Sequence, residues 1–150
     1  MKFGKYAVID EVTHHFENEP EWFWKIDPAT SGDELAIAKF LVQGRVQLGL
    51  DGVRREYPPT NAEVMHREIA LLFGGTNIPM SEGGGDPILS RSASVEAVEG
   101  VLRDMPNPMV YEIWDAVGRA CPGWGPMRPN PPISPIPSGD GETSKGSLGK

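Results

Sequence analysis

Beyond Gly125 the chain almost stops supplying side chains that a core can use, because the run from Met127 to Lys150 is dominated by Pro, Gly, Ser and charge. Ordering the backbone costs roughly 1–2 kcal/mol per residue, and only burial of apolar surface offsets it. The expectation is a folded body over residues 1–125 and a disordered Pro/Gly/Ser-rich tail over 126–150. The same run holds 4 of the 18 Gly and 5 of the 15 Pro in a chain of 150 residues. What remains, about 120 residues, is long enough to bury one core and fold alone.

Helix punctuation inside the body is explicit. Pro28 ends an apolar run, and in Thr30-Ser31-Gly32-Asp33-Glu34 the Ser31 hydroxyl and Glu34 are spaced as a capping box. Leu35, Ala38, Leu41 and Val42, widened by Ile37 and Phe40, continue a helical stripe to about Val46. Thr60 and Glu63 form a second capping box after Pro58-Pro59. Val64, Ile69, Leu72 and Phe73 follow as the apolar face, and Gly74-Gly75 suits a left-handed C-terminal cap. Residues 75–91 are rich in Gly, Pro, Ser and Asn and read as a long mobile loop. Helix resumes near Ser94, with Val95, Val98, Leu102 and Met105 in step, and stops at Pro106. Asn107-Pro108 then starts another, whose stripe is Met109, Ile113, Ala116 and Val117, ended by Cys121-Pro122-Gly123. Two β-rich runs, residues 6–12 and Trp22-Phe23-Trp24-Lys25-Ile26, precede all of this and suggest a hairpin. The sequence thus predicts a mainly α fold of the α+β type: about four helices with a short N-terminal β element. Leu41, Ile69, Leu72, Val98, Ile113 and Val117 are its expected core.

Charge narrows the function. Fourteen Lys and Arg stand against 21 Asp and Glu, a formal charge of −7, which repels phosphate backbones and anionic membranes. Neither nucleic acid nor a membrane is therefore an expected partner. The longest strongly apolar stretch, residues 69–73, is far short of the roughly 20 residues of a bilayer-spanning helix. Cys121 is the single cysteine, and the N-terminus has no charged start followed by an apolar run, so a cytoplasmic protein is expected.

No residue set makes a catalytic, cofactor or metal site. Glu63 and His66 have the Glu-x-x-His spacing of di-iron bundles, yet the second pair and the extra carboxylates are missing, and Glu63 already serves the cap. His14-His15 with Glu17, Glu19 and Glu21 reads as a solvated acidic turn between the two strands. His66-Arg67-Glu68 has the His-x-Glu core of zinc deaminases without the Cys pair they require. Cys121 has only Arg119 nearby and no positioned base, so a buried thiol fits better than a nucleophile. Gly83-Gly84-Gly85 lacks the Lys of a phosphate loop, and the glycines of residues 141–147 put Ser147 where that Lys belongs. With no site, the sequence predicts a protein that is not an enzyme and needs no cofactor.

Binding residues are the remaining possibility. Trp22, Phe23 and Trp24 alternate across a short strand and either plug the core or form a partner surface, since aromatic residues anchor interfaces. Met109 and Trp114 on the last helix join them as candidate partner contacts.

The order of these pieces carries a resemblance. Trp22-Phe23-Trp24-Lys25-Ile26, then Thr30-Ser31-Gly32-Asp33-Glu34-Leu35, then Arg67-Glu68-Ile69-Ala70-Leu71-Leu72-Phe73-Gly74-Gly75-Thr76-Asn77-Ile78-Pro79, then Met105-Pro106 and Glu112-Ile113-Trp114, resembles tail assembly chaperones of long-tailed bacteriophages over residues 20–125. The resemblance implies a protein of the host cytoplasm that coats the helical tape measure protein. It would keep that protein soluble and leave as the tail tube polymerises, with the tail tube protein a second partner and self-association allowed. Family members are commonly also made as a frameshifted longer form, for which residues 126–150 would be a flexible lead. The competing reading is a structural virion or adaptor protein of the phage tail or head-tail region.

Overall fold

The computed structural model describes residues 11–43 and 45–127. It corrects the expected fold class. Four helices are present among the described residues, but strands recur along the chain instead of forming one N-terminal element. The order is β1 (Val12–His15), β2 (Phe23–Ile26), α1 (Ser31–Gln43), β3 (Arg45–Leu48), β4 (Arg54–Tyr57), α2 (Asn61–Leu71), β5 (Phe73–Thr76), β6 (Pro79–Ser81), β7 (Gly84–Pro87), α3 (Val95–Asp104) and α4 (Asn107–Ala120). A 3-10 turn, Gly125–Met127, closes the described part.

The principal sheet is three-stranded and antiparallel, in the order β1-β2-β5, so β2 lies in the middle. Its alternation sends Trp24 and Ile26 inward, both essentially without exposure, while Phe23 and Lys25 stay half-buried. The β5 strand is the main departure from expectation. Gly74-Gly75 does not cap α2: the helix ends at Leu71, Leu72 turns the chain, and Phe73–Thr76 runs alongside β2. A Cβ on Gly74 would sit 2.6 Å from Asp27 Oδ1 and 3.3 Å from Lys25 Cβ, so glycine lets these two backbones close up.

Two further hairpins stand apart, β3 with β4 and β6 with β7. The β6–β7 pair occupies what the composition suggested was a mobile loop. It is fastened at its base by the Ile88 N–H donating to the Ile78 carbonyl at 2.7 Å. The β3–β4 hairpin begins where α1 was expected to continue.

Helix starts follow local chemistry. Thr60 and Glu63 form the expected capping box on α2, with reciprocal bonds of 3.2 and 2.8 Å. At α1 the box forms one residue earlier than anticipated: Asp33 N–H donates to Thr30 Oγ1 at 3.1 Å, and Thr30 N–H to Asp33 Oδ2 at 2.9 Å. Ser94 caps α3 through Ala97 N–H. The α4 helix uses Pro106 as its N-terminal boundary residue without a side-chain cap.

The core lies where the helices meet the principal sheet. Ile69, Leu72, Val98, Ile113 and Val117 are at most 1% exposed, as expected, whereas Leu41 only edges the core. The α1 stripe fails most clearly: Ile37 alone is buried, and Leu35 and Val42 are 57% and 82% exposed. Of the expected first strand, residues 6–10 lie outside the described residues, and the strand that forms is Val12–His15. The expected tail lies outside them from residue 128 on, and its boundary falls inside the 3-10 turn, since Trp124 is buried and Pro126 belongs to the turn.

Candidate functional site

A strongly apolar concavity is built at the α3–α4 junction. Pro106 cannot continue α3, so Met105 is left extended (φ −81°, ψ 142°) and α4 starts immediately at Asn107. Val101 from α3, Met105 and Pro106 at the junction, Met109 from α4, Trp22 just ahead of β2, and Ile78 and Ile88, which flank the β6–β7 hairpin, line a hollow of about 220 Å³. A second hollow of about 270 Å³ lies between Phe16, Pro108 and Glu112. Trp22, Pro106 and Met109 line both, so the two are compartments of one groove.

Polar groups are confined to a few positions in this lining. Asp104 borders the first hollow, and Asn18, Glu19 and Glu112 the second, with no Lys or Arg in either lining. Glu112 also fastens the groove floor: its Oε1 accepts from the Glu17 N–H at 3.1 Å and lies 3.0 Å from His14 Nε2, tying β1 to α4.

The five candidate binding residues separate into different surroundings. Trp22 and Met109 come together in the groove, both half-buried. Phe23 lies on the other side of its strand, beneath the Lys25 ammonium at 5.5 Å and edge-on to His15. Trp24 is wholly buried against Phe73, with ring centroids 5.0 Å apart, and is unavailable to any partner. Its Nε1–H meets no acceptor among the described residues, a cost that ring packing must offset. Trp114, partly exposed, donates from Nε1 to Glu68 Oε1 at 2.9 Å.

The groups weighed for catalysis stay apart. His14 and His15 lie on β1 and not in a polar turn, and no set of three or more His, Cys, Asp or Glu among the described residues is placed to hold a metal ion. His66 borders a separate hollow with Phe40, Glu63, Arg67, Glu99 and Arg103. There Arg67 is committed, bonding Glu99 at 2.9 Å and stacking 4.5 Å over the Phe40 ring. Burial keeps the His66 imidazole below its ordinary 6.5. Cys121 is buried, and desolvation pushes its thiol above the ordinary range, the opposite of what a nucleophile needs.

Sequence reasoning missed Ile78, Ile88, Val101, Met105 and Phe16 as groove residues. The symmetry of Ile78-Pro79 and Pro87-Ile88 about Gly83-Gly84-Gly85 was the available signal for a hairpin that brings both isoleucines to one place. No helix among the described residues is long and apolar enough to cross a membrane. Comparison with known proteins finds no matching family model, no related curated protein and no similar solved structure.

Proposed function

We propose that this protein is a binding protein of the phage tail assembly chaperone type, which holds the tape measure protein in solution while the tail tube forms. The observation that carries the reading is the groove, where Trp22 and Met109, two of the residues singled out as partner contacts, line the same concavity. Its compartments of about 220 and 270 Å³ can each receive a large apolar side chain of a polypeptide. Methionines at positions 105 and 109 add an adaptable wall that can refit to successive apolar segments of a long partner. The tape measure protein, as the particular partner, is what the resemblance carried by the motif order from Trp22 to Trp114 implies.

Co-expression with tape measure fragments, followed by pull-down, tests the reading. A soluble complex is expected, weakened by Trp22→Ala or Met109→Ala by about 2 kcal/mol or more for an anchor of this kind. No interaction, together with stoichiometric presence of this chain in mature particles, would favour the structural virion or adaptor protein instead.

A further inference from the structure

The groove also constrains what its occupant looks like, and this inference rests on the partner-binding reading above. Its lining is mostly apolar: Trp22, Ile78, Val101, Met105 and Met109 all contribute. An extended segment laid there would set most of its backbone N–H and C=O groups against apolar side chains, with only Asp104, Asn18, Glu19 and Glu112 in the lining to pair a few of them. Orphaning buried polar groups costs on the order of 1–3 kcal/mol each. A helix satisfies its own backbone and presents only side chains, so it enters such a groove without that cost. Two adjoining compartments that share Trp22, Pro106 and Met109 call for two large apolar side chains close together, as positions one helical turn apart supply.

The charges select further. The groove lining offers Asp104 on one side and Glu19 and Glu112 on the other, and no Lys or Arg. Asp104 and Glu19 are exposed, so they act at the rim, and the whole chain carries a formal charge of −7. A partner helix bearing carboxylates beside its apolar ridge would meet like charge at that rim, whereas Lys or Arg there would be drawn in. We propose that the groove takes an amphipathic helix of a partner protein whose apolar ridge is flanked by Lys or Arg, with Asp104 and Glu19 reading the flanking charge.

The probe is a helical peptide of about 18 residues with Leu at i, i+4 and i+7, made in two versions that differ only in carrying Lys or Glu beside the ridge. Binding to the full chain is followed by titration calorimetry at low and high salt. The Lys version is expected to bind about tenfold tighter than the Glu version, with the gap closing as salt screens the rim. Asp104→Lys should narrow or reverse that preference. Asp104 is exposed at the end of α3, so this variant should keep the wild-type circular dichroism spectrum. Trp22→Ala should weaken both peptides.

Equal affinity for the two peptides, or Lys-peptide binding that ignores both Trp22→Ala and Asp104→Lys, would overturn the inference. So would equal binding of a Pro-interrupted Lys version unable to form a helix, or binding that appears only after residues 128–150 are removed. If the peptides fail while tape measure fragments still co-purify, the basic-helix inference falls and the proposed function stands. If both fail, the groove itself is not a binding site.

Discussion

Replacing Glu68 should damage this fold more than replacing an exposed residue at the rim of the groove. Glu68 is on α2, without solvent exposure, and its Oε1 accepts from Trp114 Nε1 at 2.9 Å and from the Gly125 N–H at 2.8 Å. One carboxyl oxygen therefore joins α2, α4 and the closing 3-10 turn. Gly125 can approach because it has φ +81° and no side chain; a Cβ there would lie 2.7 Å from Gly118 Cα. Glu68→Ala leaves at least those two donors without their acceptor. At roughly 1–3 kcal/mol for each orphaned donor, the loss is about 2–6 kcal/mol, against a total of about 5–15 kcal/mol for a domain. Glu68→Gln keeps an acceptor oxygen in place and should lose only about 1–2 kcal/mol. Urea unfolding followed by tryptophan fluorescence measures both, and with a slope of about 1–3 kcal/mol per molar the Ala variant should shift the midpoint by about 1 M or more. Trp114→Phe removes one donor, so in the Glu68→Ala background it should cost about 1–2 kcal/mol less than in the wild type. Additive losses within about 0.5 kcal/mol, with Glu68→Ala itself below about 1 kcal/mol, would refute the idea that this oxygen joins the three elements.

Two further outcomes follow from the core and from His66. Leu72→Ala, at a site without exposure between α2 and β5, should cost about 2–5 kcal/mol by urea or thermal unfolding, and a loss below about 1 kcal/mol would mean the site collapses around the smaller side chain. Burial holds His66 below its ordinary 6.5, with Glu99 opposing and Arg103 assisting. Below 6.5 the unfolded chain therefore takes up its proton before the folded one does. The stability contributed by neutral His66 is full above 6.5 and is lost as pH falls through the depressed folded value. His66→Gln should thus lose less stability than the wild type between about pH 7.5 and about pH 5, and equal losses would show that His66 is not held neutral by the fold.

What could be read from the sequence was what is decided within a few residues. The Thr60–Glu63 box and the Ser94 cap are completed inside one helical turn, and so is the break at Pro106. Even there, competition between neighbours blurs the answer. Thr30 with Asp33 and Ser31 with Glu34 offer the same motif one residue apart, and the structure takes the first while Glu34 accepts from Trp124 Nε1 at 2.6 Å. The β5 strand was hidden for the opposite reason. Phe73-Gly74-Gly75-Thr76 has poor strand propensity, and its glycines are there for a close approach to β2, a partner some 50 residues away in the sequence. Weak amphipathicity misled the reading of α1, where three-residue spacing of apolar residues did not show that a single isoleucine would reach the core.

The groove follows the same division between local and distant causes. Met105, Pro106 and Met109 are close in sequence, and the proline that ends α3 lies between the two methionines, so this half of the lining was visible as a helix break. The facing half comes from Trp22, Ile78 and Ile88, which meet only because β2 pairs with β5 and the β6–β7 hairpin folds back beside it. Residue type alone gives Trp22, Trp24 and Trp114 equal standing as anchors. Their separation into groove wall, core plug and hydrogen-bond donor depends on strand register and on where Glu68 sits, neither of which aromatic content encodes. A groove assembled this way is sensitive to the core behind it. A core substitution that shifts β2 against β5 moves Trp22 relative to Met109, so under the proposed binding role partner affinity would report on the packing of the buried Trp24 and Phe73.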